Sequence, residues 1–223
     1  MRWRAAISVL AVAAPGCSFP HGQADSSGNA TGDGAVSDSS GSSDAALPDA
    51  VTSRSNVVAA TAGAALVSLT SEYCPPTNPP PLCQPGYWNG ANINDSAYAN
   101  GDNQTAYRAS WASRFKQNAD PENFELTFAD GRSATIDQFV IQNWGRGNGS
   151  SLYYSTHARI YGRAPASTTW TMLVDTALAT DEAPQTFALG APVVVERVRL
   201  SITAGMRSDY WELGEFEAWG WLQ

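Results

Sequence analysis

The sequence predicts an all-β protein whose folded part is an antiparallel β-sandwich or jelly roll. Three observations carry this. From about Arg54 onward, apolar residues come in short runs that alternate with polar ones, the pattern of strands with one buried face. Glycine, proline, asparagine and aspartate punctuate those runs, as turns between short strands require. Helical periodicity is confined to one turn near Ser110 to Arg114.

The chain opens with an address rather than with structure. Met1 to Arg4 carries two arginines, and Ala5 to Ala14 is a short apolar run. That is the charge and length of a secretory signal, too short to span a bilayer as a helix. The run ends in Ala14-Pro15-Gly16-Cys17, which resembles a bacterial lipobox, with alanine where leucine is usual. The resemblance implies a lipoprotein-type signal peptide over residues 1–16 and lipidation at Cys17. It also implies an exported protein at the outer membrane or cell surface, bound to membrane only through its lipid. The alternative is ordinary secretion with a spare cysteine, and an odd thiol in an exported chain needs a role.

Residues 17–53 are Gly, Ser, Asp and Ala with almost no large apolar side chains. Such a segment buries too little surface to offset its ordering entropy. It reads as a flexible acidic tether with a reach of roughly 30–35 Å.

The folded domain follows over residues 54–223. Phe124, Leu126 and Phe128 alternate with Glu125 and Thr127, a half-buried strand. Asp130-Gly131 is a tight-turn signal, and Ala134 to Gln142 reads as the returning strand. His157 to Tyr161, Trp170 to Val174, the alternation Val198, Leu200, Ile202, and Glu215 to Trp221 are further strands.

The formal net charge is -8. An acidic chain repels phosphate backbones, which argues against a nucleic-acid partner, and it is poorly suited to loose adhesion on anionic lipid. Of the three cysteines, Cys74 and Cys83 bracket CPPTNPPPLC, a segment its prolines keep non-helical. A disulfide between them would close a short loop and contribute about 2–3 kcal/mol. It would also imply an oxidising compartment. The alternative is two free thiols.

Several segments then fall in a familiar order: NVVAATAGAALVSLTSEY, NIND, TAYRASWAS, PENFELTF, ATIDQFVIQNWG, ARIYGRAPASTTWTMLVD, RVRLSIT and ELGEFEAWGW. This order resembles the F5/8 type C (discoidin-like, galactose-binding-domain-like) family, which includes carbohydrate-binding module family 32. It covers about Asn56 to Trp221. The resemblance implies an eight-stranded antiparallel jelly-roll sandwich that binds a glycan, with lipid head groups or proteins as the other ligand classes. One region departs from the family: NINDSAYANGDNQTAYRASW stands where a simple Asp-Gly with a nearby Thr-x-Trp is usual.

The resemblance also implies a structural calcium between that loop and a glutamate opening the last strand. Glu215 stands at the matching position, and Asp95 or Asp102 would supply the loop carboxylate beside Asn94. Oxygen-rich loops suit this ion. The alternative is a polar loop whose side chains cap their own backbone.

Sugar recognition needs an aromatic face and fixed donors. Tyr210 and Trp211 lie in the loop before the last strand, at the end away from the C-terminus. Trp144, Arg146 and Asn148 in NWGRGNGSS, Arg108, and Trp88 are the candidates to converge with them. Trp144 and Trp211 read equally as plugs at the rim of the core, Trp88 as packing for the cysteine loop, and Arg146 as a solvated cation. Trp170, Trp219 and Trp221 lie in strand-like runs and read as core, and His157 as a strand residue.

Two histidines and no nucleophile-elbow or metalloprotease motif argue against an enzyme. Glu215 and Glu217 share a strand face, and a hydrolase or lyase built on them is the weakest alternative. The expected function is a non-catalytic carbohydrate-binding module. A protein- or lipid-adhesion module is the second reading.

Overall fold

The computed structural model describes residues 53–74, 84–101, 104–116, 120–146 and 152–223. The leader, Cys17, Cys83, Asp102, Asn148 and all but the last residue of the tether lie outside these.

The described residues form a nearly all-β structure with one short helix, Gln104–Arg108. Strands β1 (Ser55–Asn56), β11 (Glu215–Leu222), β5 (Ala134–Gln142) and β8 (Pro184–Val195) make a four-stranded sheet in that order. Strands β2 (Ala65–Leu69), β4 (Glu122–Thr127), β9 (Arg197–Gly205), β6 (Ser155–Arg163) and β7 (Trp170–Ala177) make a five-stranded one. Two-residue strands β3 (Trp111–Ala112) and β10 (Glu212–Leu213) pair separately. All of these ladders are antiparallel.

Period-two patterning builds the core. Phe124 and Leu126 on β4, Ala158 and Ile160 on β6, and Val198, Leu200 and Ile202 on β9 point inward from one sheet. Ile136, Phe139 and Ile141 on β5, and Phe216 and Ala218 on β11, point inward from the other. The rings of Phe139 and Phe216 stack with centroids 5.9 Å apart. Alternation along β5 resets at Asp137, where the ladders to both β8 and β11 shift register. This is the local signature of a bulge. The displaced carboxylate takes a forked ion pair from Arg54, 2.8 Å away, and the Arg54 guanidinium also lies over the Trp219 ring.

Two expectations are corrected. Asp130 and Gly131 do adopt left-handed φ values of 55° and 66°, but the turn does not close a hairpin. Strand β4 pairs with β2 and β9, and β5 with β11 and β8, so the chain crosses from one sheet to the other. Both strands bury one apolar face, and facing them across the core buries both. The helical turn lies at Gln104–Arg108 rather than Ser110 to Arg114, because Trp111 and Ala112 are drawn into β3 by pairing with β10.

Candidate binding site at the loop end of the sandwich

Strands β5 and β9 end, and β6, β8 and β11 begin, at the end of the sandwich opposite the turn at Ala129–Gly131. The loops there are not loosely arrayed. Ser113 and Trp211 exchange hydrogen bonds, Ser113 N to Trp211 O at 2.8 Å and Trp211 N to Ser113 Oγ at 3.0 Å. The Lys116 amide donates to Asp209 O at 2.6 Å. The segment after β3 is thereby zipped to the segment before β10.

Lys116 locks this seam. Its ammonium is buried, 2.5 Å from Glu122 Oε1 and 2.6 Å from Asp120 O, and lies over the Trp211 ring at 4.3 Å. Glu122 accepts a second bond from Ser71 Oγ at 2.8 Å. A buried charge is tolerable only when paired and hydrogen-bonded in this way. Gly205 completes the fit, since a Cβ there would collide with the Trp211 indole.

A chain of ring contacts runs across this end. Trp144 meets Tyr107 at 5.9 Å, Tyr107 meets Trp88 at 4.6 Å, and Trp88 meets Tyr73 at 5.5 Å. Tyr73 meets Tyr210 at 5.5 Å, and Tyr210 meets Phe115 at 5.5 Å and Tyr153 at 6.1 Å. The first part is buried and the last part reaches solvent. Trp144 is 0% exposed and donates its indole N–H to Gly101 O at 3.0 Å. Trp88 and Trp211 are also buried, with the Trp211 N–H bound to Arg207 O at 2.8 Å. Phe115 is 56% exposed, and Tyr153 and Tyr210 are half-buried.

Of the sequence-predicted residues, Trp88, Trp144 and Tyr210 are therefore linked by this chain of rings, Trp211 lies at the Lys116 seam, and they take different roles. Tyr210 stands on the surface. Trp88, Trp144 and Trp211 offer no open ring face and instead support the loops from beneath. Their loops pack on one another, and Trp88 and Trp144 with Tyr87, Cys74 and Ala106 make a second small core. Arg108 is exposed, its guanidinium 5.5 Å from the Tyr87 ring. Arg146 is paired with Glu182.

Sequence reasoning missed Phe115, Tyr153, Arg207 and Asp209. Arg207 forks onto Asp209 at 2.6 and 2.7 Å and lies 5.1 Å from the Tyr153 ring. The pairing holds the Asp209 carboxyl below its ordinary range. A shallow groove of about 660 Å³ runs beside this pair, bounded by Phe115, Lys116, Met206 and Trp211. The proximity of Arg207 and Asp209 to Tyr210 in sequence was the available signal.

Near the start of β11, the Asp95 and Glu215 carboxyl groups lie close enough to interact. Glu215 is fully buried; its Oε1 accepts from Ser96 N at 3.3 Å and its Oε2 has no hydrogen-bond partner. Burial first, then the Asp95 carboxylate, pushes the Glu215 carboxyl up to about 10. Burial likewise raises Asp95, whose Oδ1 accepts from Ala97 N at 2.8 Å. A carboxyl group buried beside a second, half-buried one favours holding a proton or a cation. Asn94 instead donates its amide to Val58 O at 2.9 Å. Among the described residues, no three His, Cys, Asp or Glu side chains gather as a metal cluster.

The other carboxylate of that strand is also occupied. Glu217 accepts from Tyr98 Oη at 2.9 Å and from the Trp219 indole at 2.6 Å. Both glutamates are buried.

The described residues thus form an antiparallel β-sandwich with aromatic and charged side chains gathered on the loops of one end. Residues 77–216 match the F5/8 type C domain, and the chain belongs to that family. Among solved structures, the family 32 carbohydrate-binding module from Streptococcus pneumoniae EndoD is similar at a TM-score of 0.52 and 14% identity, covering 74% of this chain and 98% of that one. A chitosan-binding module from a Paenibacillus chitosanase/glucanase is similar at 0.50 and 16%, covering 74% and 99%. Saccharomyces cerevisiae allantoicase is similar at 0.54 and 14%, covering 75% of this chain but 43% of that one. No curated protein matches in sequence.

Proposed function

We propose that the domain is a non-catalytic carbohydrate-binding module whose ligand site is the loop end. The observation that carries this is the part-exposed ring surface of Phe115, Tyr210 and Tyr153 beside the Arg207–Asp209 fork. Ring faces take the C–H surface of a sugar, and a fixed guanidinium and carboxylate take its hydroxyls. The similar modules are a family 32 carbohydrate-binding module and a chitosan-binding module, which supports the same reading. The engagement of Glu215 and Glu217 with their neighbours supports binding without chemistry.

Around that site we place three further proposals. Calcium at Asp95 and Glu215, with loop carbonyls completing its oxygen shell, would replace the shared proton and fix the Asn94–Gly101 loop; the orphaned Glu215 oxygen fits it. A Cys74–Cys83 disulfide would tie the segment that carries Tyr73. Lipidation at Cys17 would display the domain on the cell surface, where many copies raise avidity for a weak ligand.

A specific observation favours a second reading. Phe115, Leu152 and Met206 are exposed apolar side chains, and Arg114 and Arg207 stand beside two of them. Apolar tips flanked by cations suit a lipid head-group surface. A glycan array probed with the multivalently displayed chain separates the two. A coherent sugar set supports the module; a blank array from folded protein, with binding to anionic vesicles, supports adhesion.

A further inference from the structure

The outer face of the five-stranded sheet carries an organised cationic surface that the loop-end reading does not use. Register places Arg197, Arg163 and Trp170 side by side across β9, β6 and β7. The next row carries Arg199 and Tyr161, and the row beyond that Arg159. Four of the chain's 13 Lys and Arg residues thus share one face, although the whole chain is acidic.

These arginines are held in place with their side chains part-exposed, although the Nε of Arg163 is itself buried. Arg199 lies over the Trp170 ring at 4.1 Å and Arg163 at 5.6 Å. Stacking on an indole fixes the plane of a guanidinium and leaves its edge free to donate. Arg197 and Arg199 share the single carboxylate of Glu125, at 2.7 and 3.4 Å. Arg159 shares Asp175 with His157, at 3.1 Å for each, and Arg163 pairs with Glu196 at 2.7 Å. Four guanidinium groups therefore meet three carboxylates, each of which can use only part of a five-donor fork.

We propose that this sheet face is a second ligand site, for an acidic polysaccharide bearing carboxylate or sulfate groups. Planar forks match such groups bidentately. Strands about 4.8 Å apart, and same-face residues about 6.8 Å apart along a strand, present the forks as a regular flat array. That suits a ligand that repeats its charge. The chain's net negative charge does not prevent this, because at physiological salt charges beyond about 8 Å are largely screened. The site is distinct from the loop end and stands or falls separately.

The test is affinity electrophoresis of the full chain through gels containing polygalacturonate, dextran sulfate, neutral dextran or single-stranded DNA. The acidic polysaccharides retard the wild-type protein, neutral dextran does not, and DNA does so at least tenfold more weakly. The combined change Arg159→Gln, Arg163→Gln and Arg199→Gln weakens retardation at least tenfold. The charge-preserving pair Arg163→Lys and Arg199→Lys weakens it several-fold with an unchanged melting temperature, which separates fork loss from unfolding. The combined change Phe115→Ala and Tyr210→Ala leaves retardation as in wild type. Absence of retardation of the wild type, equal retardation by DNA or neutral dextran, or a folded lysine variant that binds as wild type overturns the proposal.

Discussion

The ring of Phe115 meets that of Tyr210 edge-on, centroids 5.5 Å apart and planes at 75°, so the segment after β3 and the segment before β10 form one surface. The two Ser113–Trp211 hydrogen bonds and the buried Lys116 join the segments that carry them, and Tyr73, itself packed on Trp88, meets the Tyr210 ring.

The supporting role of the tryptophans gives the first prediction. Trp144→Ala removes a fully buried ring and should destabilise the domain by about 3–5 kcal/mol. Phe115→Ala removes an exposed ring and should cost less than about 1 kcal/mol. Urea unfolding of the two variants measures both. A Trp144→Ala variant as stable as wild type would contradict its place in the second core.

A tryptophan in a loop was legible as a ligand platform or as a plug, and sequence alone left the choice open. What decided it was loop-on-loop packing, a long-range arrangement with no local period. The strand tryptophans were more legible than they were read. Phe216, Ala218 and Gly220 alternate with Glu217, Trp219 and Trp221 on β11, and the glutamate shares the tryptophans' parity. Trp219 and Trp221 accordingly point outward and stay half-exposed, as does Trp170 beside its arginines. The same alternation did reveal β4, β5, β6, β7, β9 and β11. It did not show β8, an uncharged run of 12 residues with two prolines, nor that β4 and β5 belong to opposite sheets.

The seam gives the second prediction. Lys116→Ala leaves Glu122 buried and unpaired, and should cost about 3–5 kcal/mol. Replacing both partners, Lys116→Met with Glu122→Leu, should recover a large part of that loss. Denaturant titrations of the single and double variants give the coupling. Additive losses in the double variant would show that the pair does not act as a unit.

The third prediction concerns pH. The Glu215 carboxyl ordinarily titrates at 4.5 and in the fold at about 10. Between these values the unfolded chain has released a proton that the metal-free folded chain still holds. Stability in EDTA should therefore fall as pH rises from about 4.5 toward 10. Calcium needs the ionised carboxylates, so its stabilising effect should grow over the same window. Glu215→Gln should remove both trends. Melting temperatures measured against pH, with EDTA or calcium, test this; a flat profile in EDTA would contradict the buried pair.

Display at a surface gives the fourth. Cys17→Ser should release the protein from the membrane fraction and abolish incorporation of labelled fatty acid. A variant that still fractionates with membranes would remove the lipid anchor from the account.

The central claim is that the Phe115–Tyr210 surface holds the sugar, and calorimetric titration of the best glycan from an array into wild type and the Phe115→Ala, Tyr210→Ala double variant tests it most directly. The account predicts at least a tenfold loss of affinity, about 1.4 kcal/mol or more, with the melting temperature held within a few degrees. Unchanged affinity in the folded double variant would contradict it and move the ligand away from the loop end.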